Sequence, residues 1–386
     1  MNRPQISLIY ITVSLAVSLS VAATSISRGR DFSAHLSQQS ARSSTDYQIA
    51  SAFAPIFYQA LGDKPRSDYV TNFDFDGDWR GDNNWNHAED KKFPLKAYVY
   101  YSVSETASHF LIHYAVFHPR DYKGGSSKGA ILSELIREGT KRGGKYDPTG
   151  LADEAALAHE NDLEGCLVVV QKNGKDLGKG LTVYVETLHH NVFSRYAPGE
   201  SSNGAGPLRL EGQRPLLYIE PRGHGIEALD GEGKKIGRKP FLTYKFAGRA
   251  EDPIKKKGVE VGYELLPIRT TLWTHAKLSK KTNEAAANPT FGAAQTYDSI
   301  VIELSQPDGR TIERKFDLGT LGSAFLGKVG GQNMARPPWA WFDRNDRDVP
   351  AGQWFFDPAR SVKRSFKLND SFSTAYVRLP FWATEK

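Results

Sequence analysis

The sequence predicts an all-β protein, a two-sheet β-sandwich with long loops and a short inserted helix. Three observations lead there: runs rich in aromatic and β-branched residues recur, turn-forming residues separate them, and helical periodicity is confined to one segment. Residues 97–103 (AYVYYSV) and 109–117 (HFLIHYAVF) are separated by a gap short enough for a hairpin. Residues 167–171, 181–185 and 216–219 read as further strands. Residues 299–304 and 311–316 form a second hairpin pattern, turned by Gln306-Pro307-Asp308-Gly309. Period two places His113 on the face of Leu111, Ala115 and Phe117, as a core histidine. The helical segment is 130–138 (AILSELIRE), with Ile131, Leu132, Leu135 and Ile136 on one face. It sits in an insertion over 122–158, between two strands.

The 386 residues are enough for a large core, and aromatic residues at 11% favour strands. The net charge of +6 is spread over 50 basic and 44 acidic residues without a basic, aromatic-laced stripe, so no nucleic-acid partner is expected. Residues 1–23 read as a signal peptide: Arg3 starts them, an apolar run follows from Ile6, and Val21-Ala22-Ala23 supplies small residues for cleavage. The chain is therefore expected to be exported, secreted or periplasmic, with an uncleaved N-terminal anchor as the rival reading. Residues 24–48, rich in Ser, Arg and Gln, read as a linker. Residues 49–386 read as the sandwich domain, with a C-terminal extension from about residue 267. The single cysteine, Cys166, excludes an internal disulfide and lies in an apolar run as a core residue.

Chemistry concentrates in Ala158-His159-Glu160-Asn161-Asp162-Leu163-Glu164-Gly165, just before the strand that starts at Cys166. With a strand beginning near Asp162, period two puts Asp162 and Glu164 on one face, and His159 sits in the preceding turn. Two carboxylates and one imidazole suit a hard or borderline divalent cation, Ca2+ or Mg2+ foremost, and disfavour structural zinc. A bland alternative is surface charge ahead of a strand. Asn72-Phe73-Asp74-Phe75-Asp76-Gly77-Asp78 is a second acidic loop, and Asp74, Asp76 and Asp78 are candidates for a calcium loop that lacks the usual distal glutamate. Aromatic residues crowd 337–343 and 353–358, where the favoured reading is a plug for one end of the sandwich. His189-His190 reads as structural or surface. The sequence holds no phosphate loop or dinucleotide fingerprint, and His159 to Leu163 lacks the second histidine of a zincin.

The His-x-x-Asp-x-Glu motif leading into an apolar strand resembles the heptapeptide of the necrosis-and-ethylene-inducing-peptide-like (NPP1-like) proteins, secreted β-sandwich cytolysins of plant-associated microbes. The resemblance implies that His159, Asp162 and Glu164 help to bind a divalent cation. Tyr114 to Asp121 is similar to that family's strand ending in Pro-Lys-Asp, which makes Asp121 the implied fourth ligand. Leu216 to Gly225 resembles the later strand ending in Gly-His, a pattern shared with the vacuolar-sorting-protein-62-like group. Together these pieces span roughly residues 50–230. Ala158, Asn161 and Leu163 depart from the family's Gly, His and Trp, the family disulfide cannot form, and the insertion is longer. These departures surround the ligands, so the cation site carries over and the toxicity does not.

The expected function is a metal-binding β-sandwich that recognises a glycan, a glycolipid or a membrane surface. One alternative is a metal-dependent hydrolase with Glu160 or His224 as general base in a cleft. Another is a structural envelope protein whose ion pins loops.

Overall fold

The computed structural model describes residues 44–121, 159–174, 176–199, 204–229, 240–256, 259–279, 290–297, 299–327, 335–346 and 348–381. The signal segment, most of the linker and the insertion with its expected helix lie outside the described residues. A helix over 44–52 begins inside the stretch read as linker. Gln48–Lys386 forms one compact unit that carries the fold.

Strands β1 (Ile56–Ala60), β2 (Tyr98–Thr106), β3 (His109–Asp121), β4 (His159–Gln171), β5 (Leu181–His189), β6 (Val192–Pro198) and β7 (Gly206–Leu208) come first. Next are β8 (Leu210–Glu211), β9 (Arg214–Ile219), β10 (Ile226–Ala228), β11 (Phe241–Phe246) and β12 (Glu260–Pro267). Last come β13 (Ala294–Tyr297), β14 (Ile300–Ser305), β15 (Thr311–Phe316), β16 (Gly319–Gly322) and β17 (Tyr376–Arg378). Helices are few and short, and among the described residues none is long and apolar enough to cross a membrane.

The protein is mostly β, as expected, and hydrogen bonds join most of its strands in one large mixed sheet. One mixed sheet of 15 strands runs β10-β9-β1-β11-β12-β2-β3-β4-β5-β6-β7, with β8, β14, β15 and β17 attached off this path. The pairs β1–β9, β11–β12 and β12–β2 are parallel and join segments far apart in sequence. Such pairings leave no mark in local periodicity. Strands β9 and β10 also touch β4 and β5, so the sheet curls back on itself. Both expected hairpins form: β2 pairs with β3 from Tyr100↔Ala115 to Glu105↔Phe110, and β14 with β15 around a turn closed by Gln306 N–H to Arg310 O.

The inner face of β3 and β4 supplies Leu111, Ala115, Phe117, Leu163, Leu167 and Val169 to one large core. The aromatic-rich C-terminal segments pack against this face. Trp354 meets the His113 ring edge-on at 5.1 Å, and Trp339, Trp341 and Trp354 are all fully buried. Truncating one such side chain typically costs roughly 3–5 kcal/mol. Cys166 and His113 are buried, as expected of core residues.

One feature of the pairing creates the candidate site. Strand β2 pairs with β3 only as far as Ala115, and β5 pairs with β4 only as far as Cys166. Beyond those points β3 and β4 continue together as an extension over 116–121 and 159–165, with an isolated bridge from Thr71 to Phe117. Within it the ladder skips Pro119 and Asn161. Proline has no N–H to give, and Asn161 opposite adopts φ 61. His159 is the first residue of β4, not part of a preceding turn.

Candidate metal centre

The extension carries all four residues expected to bind a cation. His159 lies opposite Asp121, and His118 opposite Asp162, with Glu164 opposite Val116. His159 Nε2 is 3.4 Å from Asp121 Oδ2. Asp121, His159, Asp162 and Glu164 are each at most 6% exposed. Their oxygens and nitrogen therefore face protein, not bulk water, and burying charge is costly unless an opposite charge compensates it.

The loop between β9 and β10 closes one side. Its His224 points one ring nitrogen, Nδ1, at Asp162 Oδ2 (2.7 Å) and the other, Nε2, at Asp68 Oδ1 (3.3 Å). Asp68 also accepts the backbone N–H groups of Gly62 and Arg222, each at 2.7 Å. Burial alone would lower the His224 imidazole, but its hydrogen bonds to Asp162 and Asp68, together with their charges, reverse this and raise it to about 10. His224 thus sits as a cation that donates from both nitrogens. His118 lies flat against it, ring centroids 3.8 Å apart and planes 5° apart, with Nε2 at 2.9 Å from Gln59 Oε1. Burial first, then the His224 charge, keeps His118 well below the usual imidazole range. A neutral ring therefore stacks on a charged one.

Residues 84–89 close another side. The Trp85 N–H donates to Glu160 Oε1 at 2.7 Å, so the other base candidate is engaged in holding a turn. Arg120 donates to Trp85 O and to Glu89 Oε1 (2.8 Å), and its guanidinium covers the Trp85 ring at 4.3 Å. Asn161, held in the left-handed conformation, donates its side-chain Nδ2 to Gly81 O and Leu326 O, and its Oδ1 accepts from Asn84 Nδ2.

The hairpin between β5 and β6 lies beside Glu164, whose Oε1 is 3.4 Å from the His190 N–H. Here His189 Nε2 and His190 Nε2 converge on the two oxygens of Glu220, the residue that follows β9. Burial alone would raise the Glu220 carboxyl, yet hydrogen bonds from the two histidines hold it well below the usual carboxylate range. Donor atoms of His189, His190 and Glu220 all lie within 4.8 Å of one another, and among the described residues they are the one such group. The sequence reading of His189-His190 as structural or surface missed it. A histidine pair at a strand end, with Glu220-Pro221-Arg222-Gly223-His224 elsewhere, was the available signal.

Among the described residues, five of the six non-glycine residues with positive φ, namely Asn161, His190, Asn191, Arg222 and His224, surround this end of the sheet. Each costs roughly 1–3 kcal/mol, and such costs gather where a site dictates the backbone. The acidic loop behaves differently. Asp74 accepts from Asn72 Nδ2, Asp76 from His87 and the Asp78 N–H, and Asp78 from the Arg80 N–H and Asn83. These contacts cap turns, and neither these three carboxylates nor any three of Asp121, His159, Asp162 and Glu164 reach mutual ligand distance.

No protein-family model matches the chain, and no curated protein matches it. Among solved structures it is similar to NLPPya in complex with mannosamine: 13% identity over 62% of this chain and 81% of that one, at a TM-score of 0.31. NLPPya in complex with glucosamine gives 11% identity, the same coverage of 62% and 81%, and a TM-score of 0.29. Necrosis and Ethylene inducing Protein 2, from the causal agent of cocoa's Witches Broom disease, gives 12% identity over 47% of this chain and 66% of that one, with a TM-score of 0.25. The chain's structural neighbours are necrosis- and ethylene-inducing proteins, at low overlap and low identity.

Proposed function

We propose that this is an exported β-protein that holds a divalent cation at the β3/β4 extension and uses it to recognise a glycan or the sugar headgroup of a glycolipid. The carrying observation is the set of three carboxylates and one imidazole, none more than 6% exposed, on two paired strand ends. Asp121, Asp162, Glu164 and His159 would be the ligands. An oxygen-rich set fits Ca2+, Mg2+ or Mn2+, and such an ion supplies the positive charge that buried acids need. Asp121 and His159 already converge, whereas Asp162 is turned toward His224. Binding would therefore draw Asp162 partly away from that ring. A cation with coordination positions left for ligand oxygens favours vicinal hydroxyls, the pattern that sugars present.

Titration of the purified chain with Ca2+, Mg2+ and Mn2+ tests the site. Saturable binding should weaken by on the order of tenfold or more in Asp121→Asn and in Asp162→Asn, with circular dichroism confirming the fold. Unchanged affinity in both variants sinks the assignment. Binding to a glycan panel that EDTA abolishes supports sugar recognition. Dye release from liposomes without glycan binding would redirect the target to a membrane surface.

A further inference from the structure

We propose that His189, His190 and Glu220 form a second metal site, built for a borderline divalent transition ion of which Zn2+ is the natural probe. It is distinct in chemistry from the oxygen-rich extension, and it stands whether or not that extension binds a cation. Two imidazoles and one carboxylate are a donor set that suits zinc and its first-row neighbours better than Ca2+ or Mg2+. Three protein donors leave a fourth position for water or a ligand.

The distances fit. Tetrahedral donors held roughly 2.0–2.1 Å from an ion stand about 3.3 Å from one another. His189 Nε2 and Glu220 Oε2 are already 3.4 Å apart, and all three donors lie within 4.8 Å. In the metal-free arrangement His190 closes on Glu220 in a short hydrogen bond, which an incoming ion would replace by coordination. The three side chains are 23–31% exposed, so one flank is open to an entering ion.

The surroundings point the same way. His189 Nδ1 lies 3.5 Å from Glu227 Oε1 on β10, so a second carboxylate orients the ring and leaves Nε2 for the ion. Histidines that bind metals are commonly held this way by an outer carboxylate. His190 and Asn191 are the two central residues of the β5–β6 hairpin, at φ 50 and φ 60. A turn with both φ positive prefers Asn-Gly or Gly-Gly, so histidine at its first position is locally unfavourable. What that position gains is an imidazole aimed at Glu220. The facing loop makes room. A Cβ on Gly225 would lie 1.8 Å from His189 Cδ2, and one on Gly223 would lie 2.7 Å from both Glu220 Oε1 and His190 Cε1. Strand end, strained turn and paired glycines thus converge on one pocket for two imidazoles.

Titration of the full chain with Zn2+ against a chromophoric chelator, and with Co2+ followed by its visible absorption, tests the proposal. The wild type should bind one Zn2+ at this site with micromolar or tighter affinity and give a Co2+ spectrum of nitrogen–oxygen coordination. The double variant His189→Gln/His190→Asn, whose asparagine keeps the left-handed turn, should lose roughly 100-fold in Zn2+ affinity and the Co2+ bands. Ca2+ or Mg2+ binding at the extension should persist in it. Glu220→Gln provides a second route should the double variant fold poorly, and should weaken Zn2+ at least tenfold. Absence of Zn2+ binding in the wild type, or retention of affinity and spectrum in both variants, overturns the site. Loss of Ca2+ or Mg2+ binding in Asp162→Asn with Zn2+ intact would separate the two sites.

Discussion

Gly225 and His189 occupy adjoining space so tightly that a β-carbon on the glycine would fall 1.8 Å from the histidine Cδ2. The loop between β9 and β10 therefore packs against the end of β5 through a hydrogen atom where any other residue would bring a methyl group. This contact joins the two layers that the curling sheet brings together. Gly225→Ala must push the His189 ring away from Glu220 and Glu227. We expect a loss of roughly 1–3 kcal/mol, read as a lower urea midpoint, as for overpacking elsewhere. In a His189→Ala background most of that loss should vanish, because the ring that clashes is gone. An equal loss in both backgrounds would mean that the glycine is needed for another reason.

The Asp68–His224–Asp162 bridge makes a second prediction. His224 is the positive charge between two carboxylates that are themselves buried. Its removal leaves both acids without that partner, and breaking a buried charge pair costs roughly 3–5 kcal/mol. His224→Asn is the informative variant. Asparagine tolerates the left-handed φ of 54, so the loss reports electrostatics and not backbone strain. Chemical denaturation should place His224→Asn at least 2 kcal/mol below wild type, by the same scale. Adding Asp68→Asn to it should recover part of the loss. No recovery would argue against charge as the cause.

What could be read from the sequence, and what could not, follows from distance along the chain. His159, Asp162 and Glu164 stand within six residues, so their strand and their shared chemistry were visible as a motif. The β2–β3 and β14–β15 hairpins were visible for the same reason, each being a local pattern with a local turn. Asp68 and His224, 156 residues apart, meet only because the sheet curls. Glu220 reaches His190 across 30 residues by the same curl. The β-rich class was legible, but the parallel pairs were not, since β1 beside β9 and β12 beside β2 have no signature in either strand. The aromatic segments were legible as buried, but not as a cover for β3 and β4, because apolar composition specifies burial without naming the surface buried against.

A pH prediction follows from His113. Burial holds its imidazole down to about 3, partly countered by the bond from Nε2 to Trp354 O. The folded state thus keeps His113 neutral where the unfolded chain, near 6.5, would protonate it. Stability from this residue is complete above about pH 6.5 and is lost as pH falls toward 3. Between pH 6.5 and 4.5 the loss should approach about 2.7 kcal/mol, two pH units at about 1.36 kcal/mol each. His113→Gln keeps a donor for Trp354 O without a titrating group. Its unfolding free energy at pH 7 should be lower than wild type, yet fall less steeply with acid. Parallel pH profiles for the two proteins would remove His113 as the source.

Asn161 separates backbone from side chain at the candidate metal centre. It is fully buried, holds φ 61 opposite Pro119, and ties the extension to Gly81, Asn84 and Leu326 through its amide. Asn161→Gly preserves the backbone shape and deletes the amide. At roughly 1 kcal/mol for each hydrogen bond, the expected cost is about 3 kcal/mol. Asn161→Ala deletes the same bonds and also forces a β-carbon into the left-handed region, adding about 1 kcal/mol. The glycine variant should therefore be the more stable of the two, and denaturant midpoints will rank them. The reverse ranking would mean that the chain leaves the left-handed conformation once the amide is gone. In that case Asn161, and not the gap in the ladder at Pro119, sets the backbone that carries His159 and Asp162.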